Sequence, residues 1–137
     1  KIEFGSDPRN ESFARVVVAS FMTRTNPTLE EVADVKTAVS EAVTNSIIHG
    51  YGQKEGTIEI RAYIEERKLY IEITDYGCGI EDVEKAMEPM FTTGKDGRSG
   101  MGFSFMEAFM DELTVESEPG KGTTVKMAKK IGAGCAV

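Results

Sequence analysis

The sequence has only two cysteines, Cys78 and Cys135, a single histidine, His49, and no long apolar run. Two distant cysteines do not make the disulfide framework of a small secreted domain, and with one histidine they lack the parts of a Cys/His zinc site. These shortages fit a reducing cytoplasm. No stretch approaches the roughly 18 apolar residues that would span a bilayer, and the N-terminus lacks the charged-then-apolar pattern of an export signal. Neither membrane insertion nor secretion is expected. The chain opens on Lys1 rather than Met, from which we expect a trimmed N-terminus. Basic residues are also outnumbered: 16 Lys and Arg stand against 23 Asp and Glu, a net charge of −7. That excess disfavours attraction to nucleic-acid phosphates, so direct nucleic-acid binding is not expected. Internal repeats and low-complexity segments are absent.

What is present is one domain's worth of chain. At 137 residues, with 40% hydrophobic and 28% charged, it is long enough and apolar enough to close one core, and residues 1–137 read as a single domain. Lys1 to Phe4 suits a short strand. Ser6-Asp7-Pro8 offers a helix start, and Phe13, Val16, Val17, Ser20 and Phe21, widened by Val18 and Met22, predict a first helix that is well buried or shared with a partner. Asn26-Pro27 ends it. Thr28 followed by Glu31 has the form of a capping box, which starts a second helix running to about His49, with Val32, Val35, Val39, Ala42, Val43 and Ile47 as its apolar stripe.

Beyond Gly50 and Gly52, Ile58, Ile60, Ala62 and Ile64 alternate with polar residues. After a charged turn Leu69, Ile71 and Ile73 do the same, the pattern of an antiparallel hairpin. A long loop system from Asp75 to Gly102 contains a short possible helix at 81–86. Phe103, Met106, Phe109 and Met110 predict a third major helix, followed by strands at 113–117 and 123–127 around a Pro-Gly turn. The tail 132–137 reads as frayed. The expected architecture is α/β: a two-layer sandwich in which helices cover one face of a mixed, mainly antiparallel sheet.

Fourteen glycines concentrate in the second half, where backbone must turn tightly or approach a ligand. Three constellations stand out. Glu41, Asn45 and His49 recur at four-residue spacing on the second helix, which places them on one stripe. That stripe is either a solvated face or a carboxylate and an amide aimed at a ligand. Asp75-Tyr76-Gly77-Cys78-Gly79 follows a strand, so a buried carboxylate could accept an exocyclic amine beside closely approaching backbone, although Asp and Gly are also ordinary turn residues. Gly97-Arg98-Ser99-Gly100-Met101-Gly102 precedes a helix and could present N–H groups to phosphates. It has neither the P-loop pattern nor the Rossmann context.

In this order the three resemble the N, G1 and G2 boxes of the ATPase/kinase superfamily of DNA gyrase, Hsp90, the histidine kinases and MutL. Gly120-Lys121-Gly122-Thr123-Thr124 resembles its closing G-x-G-T motif. The resemblance spans nearly the whole chain and implies the Bergerat-type ATP-binding fold. More narrowly, Asn10-Glu11-Ser12-Phe13-Ala14-Arg15, Glu41-Ala42-Val43-Thr44-Asn45 and Arg98-Ser99-Gly100-Met101-Gly102-Phe103 resemble the sporulation anti-sigma-F factors. Those are serine kinases that bind sigma factors, and the general-stress anti-sigma kinases are their nearest cousins. Histidine kinases fit less closely, because their phosphoacceptor helix is absent, though a fragment of one stays an alternative.

The resemblance implies ATP or ADP and Mg²⁺ as ligands. It implies Asn45 as the Mg²⁺ ligand, Glu41 as general base and Asp75 as acceptor of the adenine amine. Gly77 and Gly79 would admit the purine, with Thr123 supporting it. Ser99, Gly100, Met101, Gly102 and Phe103 would bind phosphates. The segment 88–101 would form a lid with Thr92, Thr93, Lys95 and Arg98 as its polar residues; Thr93 is the one assigned to nucleotide. Arg98 is either a neutraliser of transferring charge or a solvated loop residue. His49 reads as a helix-end polar residue and Cys78 as a filler between glycines. Arg15 would contact the partner, either a sigma factor of the sigma-F type or an anti-sigma antagonist phosphorylated on serine, in a homodimer; alternatively it is a surface charge on a helix that packs on the sheet. A nucleotide-gated binding module without phosphate transfer is the rival function.

Overall fold

Residues 1–52, 54–87 and 102–132 are described by the structure, a computed structural model of the chain. They form strand β1 (Ile2–Gly5), helices α1 (Asn10–Met22) and α2 (Leu29–Asn45), strands β2 (Thr57–Glu65) and β3 (Lys68–Asp75), the single turn α3 (Val83–Ala86), helix α4 (Gly102–Phe109), and strands β4 (Glu112–Glu118) and β5 (Gly122–Lys130). The strands join in one sheet of order β1-β2-β3-β5-β4. Every neighbouring pair is antiparallel, so the expected sandwich is present with a sheet that is wholly antiparallel among the described residues. The anticipated lid at 88–101, with Thr92, Thr93, Lys95, Arg98, Ser99, Gly100 and Met101, lies outside the described residues, as does 133–137 of the tail.

Alternation along the strands decides which face the helices cover. Leu69, Ile71 and Ile73 point inward with Ile58, Ile60, Val125 and Met127, and all are buried. Each such side chain contributes about 1.5–3 kcal/mol by leaving water. The same period carries Asp75 onto the core face at the end of β3, opposite Ile58 on one side and Thr123 on the other. The reverse face bears stacked Tyr63 and Tyr70 together with Glu72 and Lys126, the polar alternates of the same pattern.

Helix α2 is the middle of the helical layer, packing against α1 on one side and α4 on the other. Its start is the capping box read from the sequence: the Thr28 hydroxyl accepts the Glu31 N–H at 3.1 Å, and Glu31 Oε1 accepts the Thr28 N–H at 2.8 Å. Glu31 also accepts the Gly132 N–H, which ties the residues just after β5 to this helix. Asn26 takes the left-handed conformation at φ 55° and turns the chain between α1 and α2.

Two expectations for α1 are corrected. It begins at Asn10 with no side-chain cap, because the Ser6 hydroxyl accepts the Gly56 N–H and donates to the Lys54 carbonyl instead. The buried face is Ala14, Val18 and Met22, rotated from the stripe read in the sequence, so that Phe13 is 50% and Val16 62% exposed. Small Ala14 lets α1 approach the sandwich closely, and the larger residues beside it are left outside.

The β2–β3 turn holds two non-glycine residues in the left-handed region, Glu66 at φ 50° and Arg67 at φ 66°. Arg67 has a reason to be there, since its guanidinium donates to the Thr25 carbonyl and its own carbonyl accepts the Ile131 N–H. Glu66 makes no such contact among those described, and asparagine adopts this conformation with less strain. Glu66→Asn is therefore expected to stabilise the chain by about 0.5 kcal/mol, read as a rise of about 2 °C in Tm.

Candidate functional site

Helix α2 does not run regularly to His49. After Asn45 it widens into a π-helical turn, Ser46–Gly50, in which the Tyr51 N–H reaches back five residues to the Ser46 carbonyl at 3.0 Å. Such turns re-aim side chains at a helix end. Here Asn45, at the end of the regular helix, and His49 and Gly50 of the turn line a cavity of about 480 Å³, while Ser46 faces the interior. The other walls come from the end of β3 (Asp75), the following loop (Cys78, Gly79, Ile80), Glu81 and Asp82 ahead of α3, Phe103 of α4, and Thr123 and Val125 of β5.

Asp75 is the buried charge of this cavity, 3% exposed. Ser46 Oγ donates to its Oδ2 at 2.8 Å and the Gly77 N–H to its Oδ1 at 3.0 Å, and the backbone N–H of Thr123, its partner across the sheet, favours the ionised carboxylate. Burial pushes the Asp75 carboxyl above the ordinary range, opposed by these three groups. A carboxylate offers about four acceptor positions. Two are filled by hydrogen bonds from within the protein, which leaves room for a donor from the cavity.

The glycines shape this wall by close approach. A Cβ on Gly77 would lie 2.0 Å from the Gly50 carbonyl oxygen, so only glycine lets the loop seat against the π turn, where the Cys78 N–H bonds the same carbonyl at 2.8 Å. Gly79, at φ 76° with its Cα facing the Glu118 carbonyl, folds the loop back toward the β4–β5 turn. There the Ile80 N–H donates to Ser117 Oγ, which in turn lies 2.7 Å from Thr123 Oγ1. Gly79 thus lines the cavity and Gly77 stands behind it.

Of the residues singled out in the sequence, Asn45, Asp75, Gly79, Phe103 and Thr123 converge on this cavity. Gly102, the first residue of α4, packs directly on the Asn45 amide, where a Cβ would be 3.0 Å from its nitrogen. Glu41, one turn before Asn45 and 8% exposed, is not on a solvated face and is not among the described lining residues. Arg15 lies apart on α1. Its Nε is 3.2 Å from Glu11 Oε1 and its Nη2 donates to Ser12 Oγ at 3.0 Å, while Glu11 accepts the Ser40 hydroxyl from α2. Sequence reading passed over Ser46, Ile80, Glu81 and Asp82, and set aside His49 and Cys78, both of which line the cavity. Among the described residues no cluster of three or more His, Cys, Asp or Glu could cage a metal, and no helix is long and apolar enough to cross a membrane.

The family described as histidine kinase-like ATPase domain matches residues 4–129. Proteins named anti-sigma F factor are similar over nearly their whole length. The one from Thermoanaerobacter sp. (strain X514) is 60% identical over 97% of this chain and 94% of its own, and that from Caldanaerobacter subterraneus subsp. tengcongensis is 61% identical over 96% and 93%. Among solved structures, the histidine kinase domain of the Erythrobacter litoralis EL346 blue-light activated histidine kinase superposes with a TM-score of 0.59 at 24% identity, over 75% of this chain and 46% of that one. The mycobacterial sensor histidine kinase MprB gives 0.57 at 22% identity, over 72% and 70%. The two kinases share the fold. With an ATPase-domain match across almost all of its length and relatives at about 60% identity end to end, the chain belongs to the anti-sigma F factor family of histidine kinase-like ATPases.

Proposed function

We propose that this chain is an ATP-dependent protein serine kinase that also binds and inhibits a sigma factor of the sigma-F type. The observation that carries the nucleotide reading is Asp75: a buried carboxylate with acceptor capacity left, at the end of a strand in a cavity large enough for a purine. That position suits the exocyclic amine of adenine, a donor that guanine lacks at the equivalent carbon. Thr123, held by Ser117, supports the base, and Gly79 gives it room. The name borne by the relatives supports the partner: each is an anti-sigma F factor.

Phosphates leave the base toward Asn45 and the start of α4. Ser99, Gly100, Met101, Gly102 and Phe103 are proposed to supply their N–H donors, with Thr93 from the lid. The donor chemistry fits Mg²⁺. This ion dehydrates reluctantly and takes most of its ligands from phosphates and water, so one neutral amide oxygen, that of Asn45, suits it better than an acidic cage, and no such cage is found among the described residues. When bound it would neutralise charge on the phosphates. Glu41 accepts the proton as a serine hydroxyl of an anti-sigma antagonist attacks the γ-phosphorus. The new O–P bond forms, the bond to the bridging oxygen breaks, and ADP leaves.

Arg15 is proposed as a partner contact, on a helix whose exposed Phe13 and Val16 leave apolar surface for a second protomer or a sigma factor. Arg15→Ala is expected to weaken sigma binding about tenfold or more while ATP affinity stays within about twofold, read by titration of each ligand. Loss of both together would make α1 a structural element only. The proposed setting is the cytoplasm, where sigma factors act.

The test of the whole reading is transfer from γ-labelled ATP and Mg²⁺ to a folded anti-sigma antagonist, followed by acid treatment. Acid-stable label is the expected result, because phosphoserine survives acid and phosphohistidine does not. ATP binding without any transfer would instead establish a nucleotide-gated binding module, and acid-labile label would establish a histidine kinase.

A further inference from the structure

Ser46 is a helix residue whose hydroxyl does not bond its own helix. Serine in a helix usually turns its hydroxyl to water or back to a carbonyl one turn earlier, yet here, 4% exposed, it donates to Asp75 Oδ2 at 2.8 Å across the helix–sheet interface. Ser46 follows Asn45 by about 100° around the helix, so that Asn45 lines the cavity while Ser46 reaches the carboxylate behind it. We infer that Ser46 is a positioning residue for nucleotide recognition, fixing the Asp75 carboxylate in the rotamer and the ionised state in which its remaining acceptor capacity faces the adenine amine. The inference rests on the nucleotide reading above.

Two opposing influences act on that carboxylate. Burial favours the neutral acid, and a protonated oxygen is the wrong partner for an amine donor. A hydroxyl and two backbone N–H groups favour the ion. The two N–H groups belong to the loop and to β5 and are available to any side chain at 75, whereas the hydroxyl is supplied by a single replaceable residue. Removing it shifts the balance toward the acid. Among the described residues, the other titratable groups around Asp75 are His49 and Tyr51 on and just after the π turn, Cys78 on the loop, and Glu81 and Asp82 ahead of α3; of α4 and β5, Phe103, Thr123 and Val125 line the cavity. All of these groups are retained in a Ser46 variant, so a difference between the variant and the unaltered chain reports on the Ser46–Asp75 bond.

The experiment follows ATP affinity across pH for the unaltered chain, Ser46→Ala and Ser46→Thr, together with carbon-13 titration of the Asp75 carboxyl in the nucleotide-free proteins. Alanine is smaller and a stronger helix former, so Ser46→Ala should fold. We expect Ser46→Ala to bind ATP about tenfold more weakly at neutral pH, with the loss growing on acidification from a higher pH than in the unaltered chain and with the Asp75 carboxyl titrating at higher pH. Ser46→Thr, which keeps the hydroxyl, should restore both if it folds. An affinity profile and carboxyl titration unchanged in Ser46→Ala would overturn the assignment of Ser46 alone. Absence of ATP binding in the unaltered chain would overturn the nucleotide reading and this inference with it.

Discussion

Replacing Glu41 with alanine is expected to lower phosphate transfer by at least about 10²-fold while ATP affinity stays within about threefold. The magnitude is that of a general base, whose removal usually costs about 10²–10⁴-fold. The separation of binding from rate follows from position. Glu41 is buried within α2, one turn before Asn45, and is outside the described lining of the cavity that would hold the base, so its carboxylate adds little to ground-state affinity. A residue that acts only as the hydroxyl attacks lowers kcat and leaves substrate binding nearly as it was. Alanine suits a helix interior, and a variant that retains its thermal transition would exclude unfolding as the cause. Glu41→Gln sharpens the result, since it keeps size and hydrogen bonding but cannot take a proton; it should be about as inactive as Glu41→Ala. Transfer rates within threefold of the unaltered chain in either variant would remove Glu41 from the mechanism.

The elements that sequence reveals best are those whose signal is local. Thr28 and Glu31 announce a capping box because both halves of it lie within four residues, and it is found as read. The alternation of β2 and β3 carries its own register, and Asp75 inherits its burial from Leu69, Ile71 and Ile73 by counting in twos. Long-range choices are less visible. The face α1 buries depends on how closely its backbone approaches the sandwich, so small Ala14 displaces the larger Phe13 and Val16 outward, against their hydrophobicity. The π turn has no recognisable sequence pattern. Ser46 has no task visible in the sequence, and the one available clue, a serine set among apolar Val43, Ile47 and Ile48, acquires meaning only once β3 is placed beside it. His49 and Cys78 are similar: their side of the cavity is created by the loop after β3 seating on Gly50.

Asp75→Asn is expected to reduce ATP affinity by about 10- to 100-fold with the fold intact. A hydrogen bond to a charged acceptor contributes about 1.5–3 kcal/mol, which corresponds to this range. Asparagine has nearly the same shape. Its oxygen can accept from the Gly77 N–H and its amide can donate to Ser46, whose hydroxyl turns to accept. What it then offers the cavity is a donor or a weaker, neutral acceptor, and an amide N–H set against the adenine amine repels it. Asp75→Ala would confuse this measurement, because it strands the Ser46 and Gly77 donors as well as removing the acceptor. The two proteins should also differ across pH. Burial raises the Asp75 carboxyl above its unfolded value, so the folded chain holds the proton more tightly. Its contribution to stability is complete below the unfolded pKa and is lost as pH rises through the raised folded one. Asp75→Asn removes that loss, and its stability relative to the unaltered chain should therefore increase from acid to neutral pH in chemical denaturation. ATP affinity should behave oppositely, falling on acidification in the unaltered chain as the acceptor is protonated, and showing no such limb in Asp75→Asn. A carboxylate kept ionised in a buried cavity at the expense of stability is what a site for an amine donor requires, and an affinity unchanged by the substitution would mean that the base is recognised elsewhere.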